Sequence, residues 1–112
     1  MTQILTKVTA VGTSDTDCYV VPKNFKAHIK HLLLTNSNAS SRTFTIKIYN
    51  KLDNATTTIM TSHSLTTITA LSVFTLDKPL FLQSEDKIII AASNASSIVS
   101  VIAVEEFFNL TA

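Results

Sequence analysis

The stretch "RTFTIKIYN" alternates apolar and polar residues without a break. Phe44, Ile46 and Ile48 fall on one face of an extended chain, and Thr43, Thr45, Lys47 and Tyr49 on the other. Side chains of a strand point to opposite faces with a period of two, so this stretch buries one side only as a half-buried β-strand. The same period governs much of the chain. "KAHIKHLLLTN" alternates from Lys26 to His31 and then turns wholly apolar at Leu32, Leu33 and Leu34. "KIIIAAS" and "SIVSVIAVEEFF" are β-branched runs with apolar residues on both faces. "SLTTITALSVFTL" is too rich in β-branched residues to favour a helix and reads as one long or two short strands. "DCYVVP" and "KPLFLQ" are short strands, one ended by Pro22 and the other opened by Pro79. "QILTKVTAV" reads as an edge strand or arm.

Turn signals separate these runs: "GTSD", "PKN", "NSNASS", "KLDNA", "LDKP", "QSED" and "SNASS". Gly12 is the only glycine, so the turns must rely on Asn, Asp and Ser. "SNASS" occurs twice, at residues 37–41 and 93–97, each time between two apolar runs, and reads as a chain reversal. Asn38, Asn54, Asn94 and Asn109 match the glycosylation pattern, but Ser and Thr are about a quarter of the chain and make such triplets by chance. About eight strands at this spacing predict one all-β domain over residues 1–112. The expected fold is an antiparallel β-sandwich of jelly-roll or immunoglobulin-like topology.

Composition narrows the function classes. Apolar residues are 46% of the chain and charged residues 15%, which is the balance of a folded domain. A net charge of +1 gives no pull toward nucleic acid or an anionic membrane. The apolar runs are far too short to span a membrane, and "MTQILTKVTAV" lacks the apolar segment of a signal peptide. Cys18 is the lone cysteine, so packing rather than an internal disulfide must hold the domain. No constellation for chemistry emerges. His28 and His31 are three apart, which in a regular strand sends them to opposite faces, and His63 lies elsewhere. Asp15 and Asp17 lack the remainder of a calcium loop. Adjacent Glu105 and Glu106 point to opposite faces, so they form no catalytic pair. Lys23, Phe25, Lys26 and Lys30 read as a solvated strand end. The expectation is a protein without enzymatic activity, cofactor, metal or small-molecule substrate.

The apolar surface exceeds what one sandwich hides. Each strand of a two-layer sandwich turns one face inward, yet "LLL", "III", "FF" and the last strand are apolar on both. Exposed apolar patches of this kind mark contact sites. The candidate interface residues are Ile4, Leu5, Val8, Leu32, Leu34, Ile89, Phe107, Phe108 and Leu110, with residues 1–8 and 109–112 as possible arms. A homo-oligomer is expected.

The blocks "VPKNFKAHIKHLLLTNSNASSRTFTIKIYN" and "KPLFLQSEDKIIIAASNASSIVSVIAVEEF" carry a resemblance. A "VP" enters a strand, the next strand ends in Asn, a Pro-Leu pair follows, and a turn leads to an apolar strand and a final Glu. In these features the chain resembles small virion structural proteins of tailed bacteriophages. Their usual turn is Leu-x-x-Gly-Asp, and here Glu85 stands in the place of Gly before Asp86. The resemblance implies a virion protein present in many copies, made in the host cytoplasm. Its partners would be itself and other virion proteins such as the major capsid protein. It implies capsid decoration (cement) first. A tail, neck or baseplate component, or a receptor- or carbohydrate-binding module, is the alternative.

Overall fold

The computed structural model describes residues 2–36, 42–65, 73–75, 80–93 and 98–108. The strands are β1 (Thr2–Val11), β2 (Thr16–Val20), β3 (Phe25–Asn36), β4 (Arg42–Asn50), β5 (Ala55–Leu65), β6 (Val73–Thr75), β7 (Leu80–Leu82), β8 (Lys87–Ala92) and β9 (Ile98–Phe108). All pairings among the described residues are antiparallel. One sheet has the order β1-β9-β3-β6, with β7 also on β3, and the other has β2-β8-β4-β5.

β6 and β7 occupy one position. β6 lies opposite Leu33, Leu34 and Thr35, and β7 continues in the same direction opposite Ala27, His28 and Ile29. They share one edge position, which makes eight strand positions among the described residues, four to a sheet. The chain crosses between sheets after β1, β2, β3, β5, β7 and β8 and stays in one sheet from β4 to β5. This is the double Greek key of a jelly roll, so the fold is a β-sandwich of that topology rather than an immunoglobulin-like one.

The "ATTTIMTSHSL" strand, β5, is one that hydrophobic alternation does not announce. It is an edge strand held by its backbone pairing with β4, and its described side chains, residues 55–59, are all exposed. A stretch that buries neither face, as residues 55–59, has no reason to alternate. Of "SLTTITALSVFTL", Ser64 and Leu65 end β5, β6 takes residues 73–75, and residues 66–72 and 76 lie outside the described residues.

The core lies between the sheets. Ile29, Leu32, Leu34, Phe44, Ile46, Ile88, Ile90, Ile98, Ile102 and Val104 are almost wholly buried. Each such side chain contributes roughly 1.5–3 kcal/mol. Cys18 is fully buried among them and pairs with nothing covalently. The apolar "LLL" run is resolved by a bulge. Ile29 faces Val104 and His31 faces Ala103, so Lys30 is an extra residue in β3. Before it Ala27 and Ile29 point inward; after it Leu32 and Leu34 do, and Leu33 points out. A one-residue insertion exchanges the two faces of a strand.

The strand ends that flank the two "SNASS" copies meet at one end of the sandwich. Asn36 pairs with Ile98, and the Thr43 and Ser93 backbones meet through a 2.9 Å bond from Ser93 N–H to Thr43 O. The first copy links β3 to β4 and the second links β8 to β9, so each carries the chain from one sheet to the other. Apart from Ser93, the copies themselves, with Asn38 and Asn94, lie outside the described residues, as does Asn109.

At the opposite end the turns are tight. Phe25 N–H bonds Pro22 O, with Asn24 at φ 68°, and Asp86 N–H bonds Gln83 O, with Glu85 at φ 66°. A positive φ at the third position is that of a type II turn. The second turn therefore forms with Glu85 where glycine is usual. Asp86 holds it together. Its buried carboxylate accepts from Gln83 N–H and Lys51 N–H, both at 2.9 Å, and its carbonyl accepts from Val21 N–H.

Candidate interaction surface

The outer face of the β1-β9-β3 sheet is built row by row from its register. Val8, Val101 and Leu33 lie side by side, as do Ala10, Val99 and Thr35. The next rows are Thr6, Ala103 and His31, then Ile4, Glu105, His28 and Phe81. Ile4 is 69% exposed, Val8 62% and Phe81 72%. The Phe81 ring stacks on His28 at 4.6 Å, and His28 and Lys30 each lie 3.8 Å from Glu105. His28 Nε2 is buried there with no hydrogen-bond partner among the described residues. The sheet thus carries a broad apolar field with one ionic spot.

The other sheet's outer face is ionic. Lys47 pairs with Asp15 at 3.2 Å, and Lys87 pairs with Asp17 at 3.3 Å while lying over the Tyr49 ring. Ile89 and Ala91 sit half-buried between Thr45, Lys47 and Lys87. The two outer faces of one sandwich therefore differ in kind.

A cleft of about 360 Å³ opens where the edge strands β1 and β2 part. Leu5, Val20 and Pro22 are its apolar walls, Tyr19 and Glu106 its floor, and Lys7 and Asp17 its rim. Glu106 is 2% exposed, and its carboxylate accepts from the Tyr19 hydroxyl and, at 2.6 Å, from Gln3 Nε2. Burial, and then the Glu106 carboxylate, push the Tyr19 hydroxyl pKa far above its ordinary value. Burial likewise raises the Cys18 thiol.

The predicted interface residues divide. Ile4 and Val8 stand on the apolar outer face, with Phe107 in the row beyond Glu105. Leu5 packs partly against the core, and Phe108 is exposed at the sandwich end, edge-on to Phe25 at 5.4 Å. Leu32 and Leu34 are in the core and offer no surface, because the Lys30 bulge turns them inward. Ile89 belongs to the ionic face, and Leu110 lies outside the described residues, as do residues 109–112. Residues 2–8 are no detached arm, since β1 pairs with β9 along its whole length. Leu33, Val101 and Phe81 also lie on the apolar face and were not among the predicted interface residues; an unannounced bulge sets Leu33, and a three-residue strand carries Phe81.

The same bulge places His28 and His31 on one face, where a regular strand would separate them. His63 is on β5, in the other sheet. Among the described residues no three His, Cys, Asp or Glu side chains gather to hold a metal ion. Glu105 and Glu106 do point to opposite faces, one outward and one into the interior. Asp15 and Asp17 are engaged by lysines.

No protein-family model and no curated protein sequence matches the chain. Several solved structures share its fold. A chain of the acid-stable capsid of Helicobacter pylori bacteriophage KHP30 superposes with a TM-score of 0.59 at 14% identity, covering 95% of this chain and 86% of that one. A chain of the T13 IBDV viral particle gives 0.54 at 10% identity, covering 94% of this chain, which matches only 30% of that longer one. A chain of the disulfide-linked pili of Bacillus endospore appendages gives 0.50 at 13% identity, covering 98% and 88%. At these identities the likeness is one of fold: a jelly-roll sandwich of the kind found in viral capsid proteins.

Proposed function

We propose that the protein is a non-enzymatic structural component of a virion, present in many copies and attached to the outside of the capsid as a decoration (cement) protein. The observation that carries this reading is the contrast between the two outer faces. An apolar field containing Ile4, Val8, Leu33, Val101 and Phe81 suits permanent contact with a shell, and the ionic face of Lys47, Lys87, Asp15 and Asp17 suits solvent. The fold is shared with a phage capsid chain over most of both chains, which supports a structural role in a virion. A pilus built by disulfide links fits less well, since the one cysteine is fully buried. A carbohydrate module fits less well too: Tyr19 is buried, Tyr49 lies beneath Lys87, and there is no Trp on which a sugar could stack.

Particles from the cell that carries the gene test the reading. On a density gradient the protein should band with intact particles, and antibody labelling in the electron microscope should decorate the heads. Label confined to tails supports the tail or baseplate alternative. Absence of the protein from particles overturns the proposal.

A further inference from the structure

The tip of the β4–β5 hairpin is a second apolar feature with no role in the domain itself. Leu52 is 89% exposed there, the most exposed large apolar residue among those described. The loop is nevertheless well defined. Asn54 N–H bonds Lys51 O, Asp53 N–H bonds Asn50 Oδ1, Tyr49 OH bonds Asn54 Oδ1, and Lys51 N–H is held by Asp86. Asn54 sits at φ 50°, which asparagine tolerates. Leu52 is thus a fixed apolar knob between a cation, Lys51, and an anion, Asp53.

The cleft between β1 and β2 has the complementary pattern. Its walls are Leu5, Val20 and Pro22, and its rim carries the cation Lys7 and the anion Asp17. Among the described residues neither Lys7 nor Asp53 has an ion-pair partner. Knob and cleft stand at the same end of the sandwich, because Asp86 ties both Lys51 and Val21. They stand at opposite edges, since β8 and β4 lie between β2 and β5. Leu52 cannot reach its own cleft, but copies set side by side bring the β5 edge of one against the β1 and β2 edges of the next.

We infer that the protein self-associates head to tail, with Leu52 of one copy seated in the Leu5–Val20–Pro22 cleft of its neighbour and Asp53 paired with Lys7 across the contact. Such a heterologous contact repeats from copy to copy and closes a ring where the rotation permits. The inference rests on the multi-copy reading above and supplies its lateral contact, distinct from the apolar sheet face.

Sedimentation of the full-length protein over roughly 1–200 μM tests it, a range that spans weak to moderate interfaces. The wild type should associate, and Leu52→Asp should weaken association by about tenfold or more, as expected for a buried apolar anchor. Lys7→Glu and Asp53→Lys should each weaken it, and the double variant should recover most of the loss, because the exchange restores the pair. Mixed Leu52→Cys and Val20→Cys proteins should cross-link under mild oxidation as the mixed pair, with Cys18 protected by its burial. A monomeric wild type over that range, association indifferent to Leu52→Asp, or cross-linking without the mixed pair each overturns the inference. Head-decorated particles together with any of those results would sink this contact and leave the proposed function standing.

Discussion

Glu85 shows what one residue does to a turn. At φ 66° an L side chain crowds its own carbonyl, at a cost of about 1–2 kcal/mol that glycine avoids. Glu85→Gly should therefore stabilise the domain by about 0.5–1 kcal/mol after glycine's greater unfolded-state freedom is counted. Thermal melting should register a rise of roughly 2–4 °C. Asp86→Ala should do the reverse, costing about 2–4 kcal/mol, because it leaves two backbone N–H groups without their acceptor. Tyr19 sets an alkaline limit. Its hydroxyl is pushed up by burial and by Glu106, so the unfolded chain releases that proton near pH 10 while the folded chain keeps it. The resulting stability is complete below that pH and declines beyond it, by up to about 1.4 kcal/mol per pH unit for one proton. Urea titrations between pH 8 and 11 should reveal the decline, and Tyr19→Phe should flatten it while lowering stability at neutral pH.

At the scale of elements, the Lys30 bulge decides what β3 buries. Its side chain is exposed and contributes only a peripheral ion pair with Glu105, so Lys30→Ala should cost less than about 1 kcal/mol. Deleting Lys30 is a different perturbation. It removes the extra residue, so His31 follows Ile29 in regular alternation and Leu32 and Leu34 keep their inward places opposite Ile102 and Ser100. The deletion should therefore preserve cooperative unfolding, read by circular dichroism, whereas an alanine inserted between Lys30 and His31, with Lys30 still bulged, should turn Leu33 inward in place of Leu32 and Leu34 and abolish it. A similar melting curve for the insertion and the Lys30→Ala variant would show that the residue count at the bulge does not set which leucines are buried.

For the molecule as a whole, the two outer faces make opposite forecasts. Ile4 and Val8 are largely exposed, so Ile4→Ser with Val8→Ser should change the melting temperature of the isolated protein by only a few degrees. The same pair should lower the copies bound per particle severalfold if that face meets the shell. Ile89→Ser, on the ionic face, is the control and should leave particle occupancy unchanged. Equal losses from both substitutions would mean that the apolar sheet face is not the attachment surface.

What the sequence determined by itself is local. The alternation of Phe44, Ile46 and Ile48, the two-faced last strand, and the Asn, Asp and Ser turns follow from a period of two and from side chains that bond nearby backbone. These features were enough for an all-β sandwich with surplus apolar surface. The tertiary structure alone decided everything that depends on residues far apart in the chain. The order of strands chose a jelly roll; the β3–β9 register placed the bulge and so moved Leu32 and Leu34 from candidate surface to core. Glu106 gained its hydrogen-bond partners from β1 and β2, 103 and 87 residues away. Leu52 and its complementary cleft came to one end of the sandwich only through Asp86. Periodicity tells which side chains share a face; only the pairing of distant strands tells what that face meets.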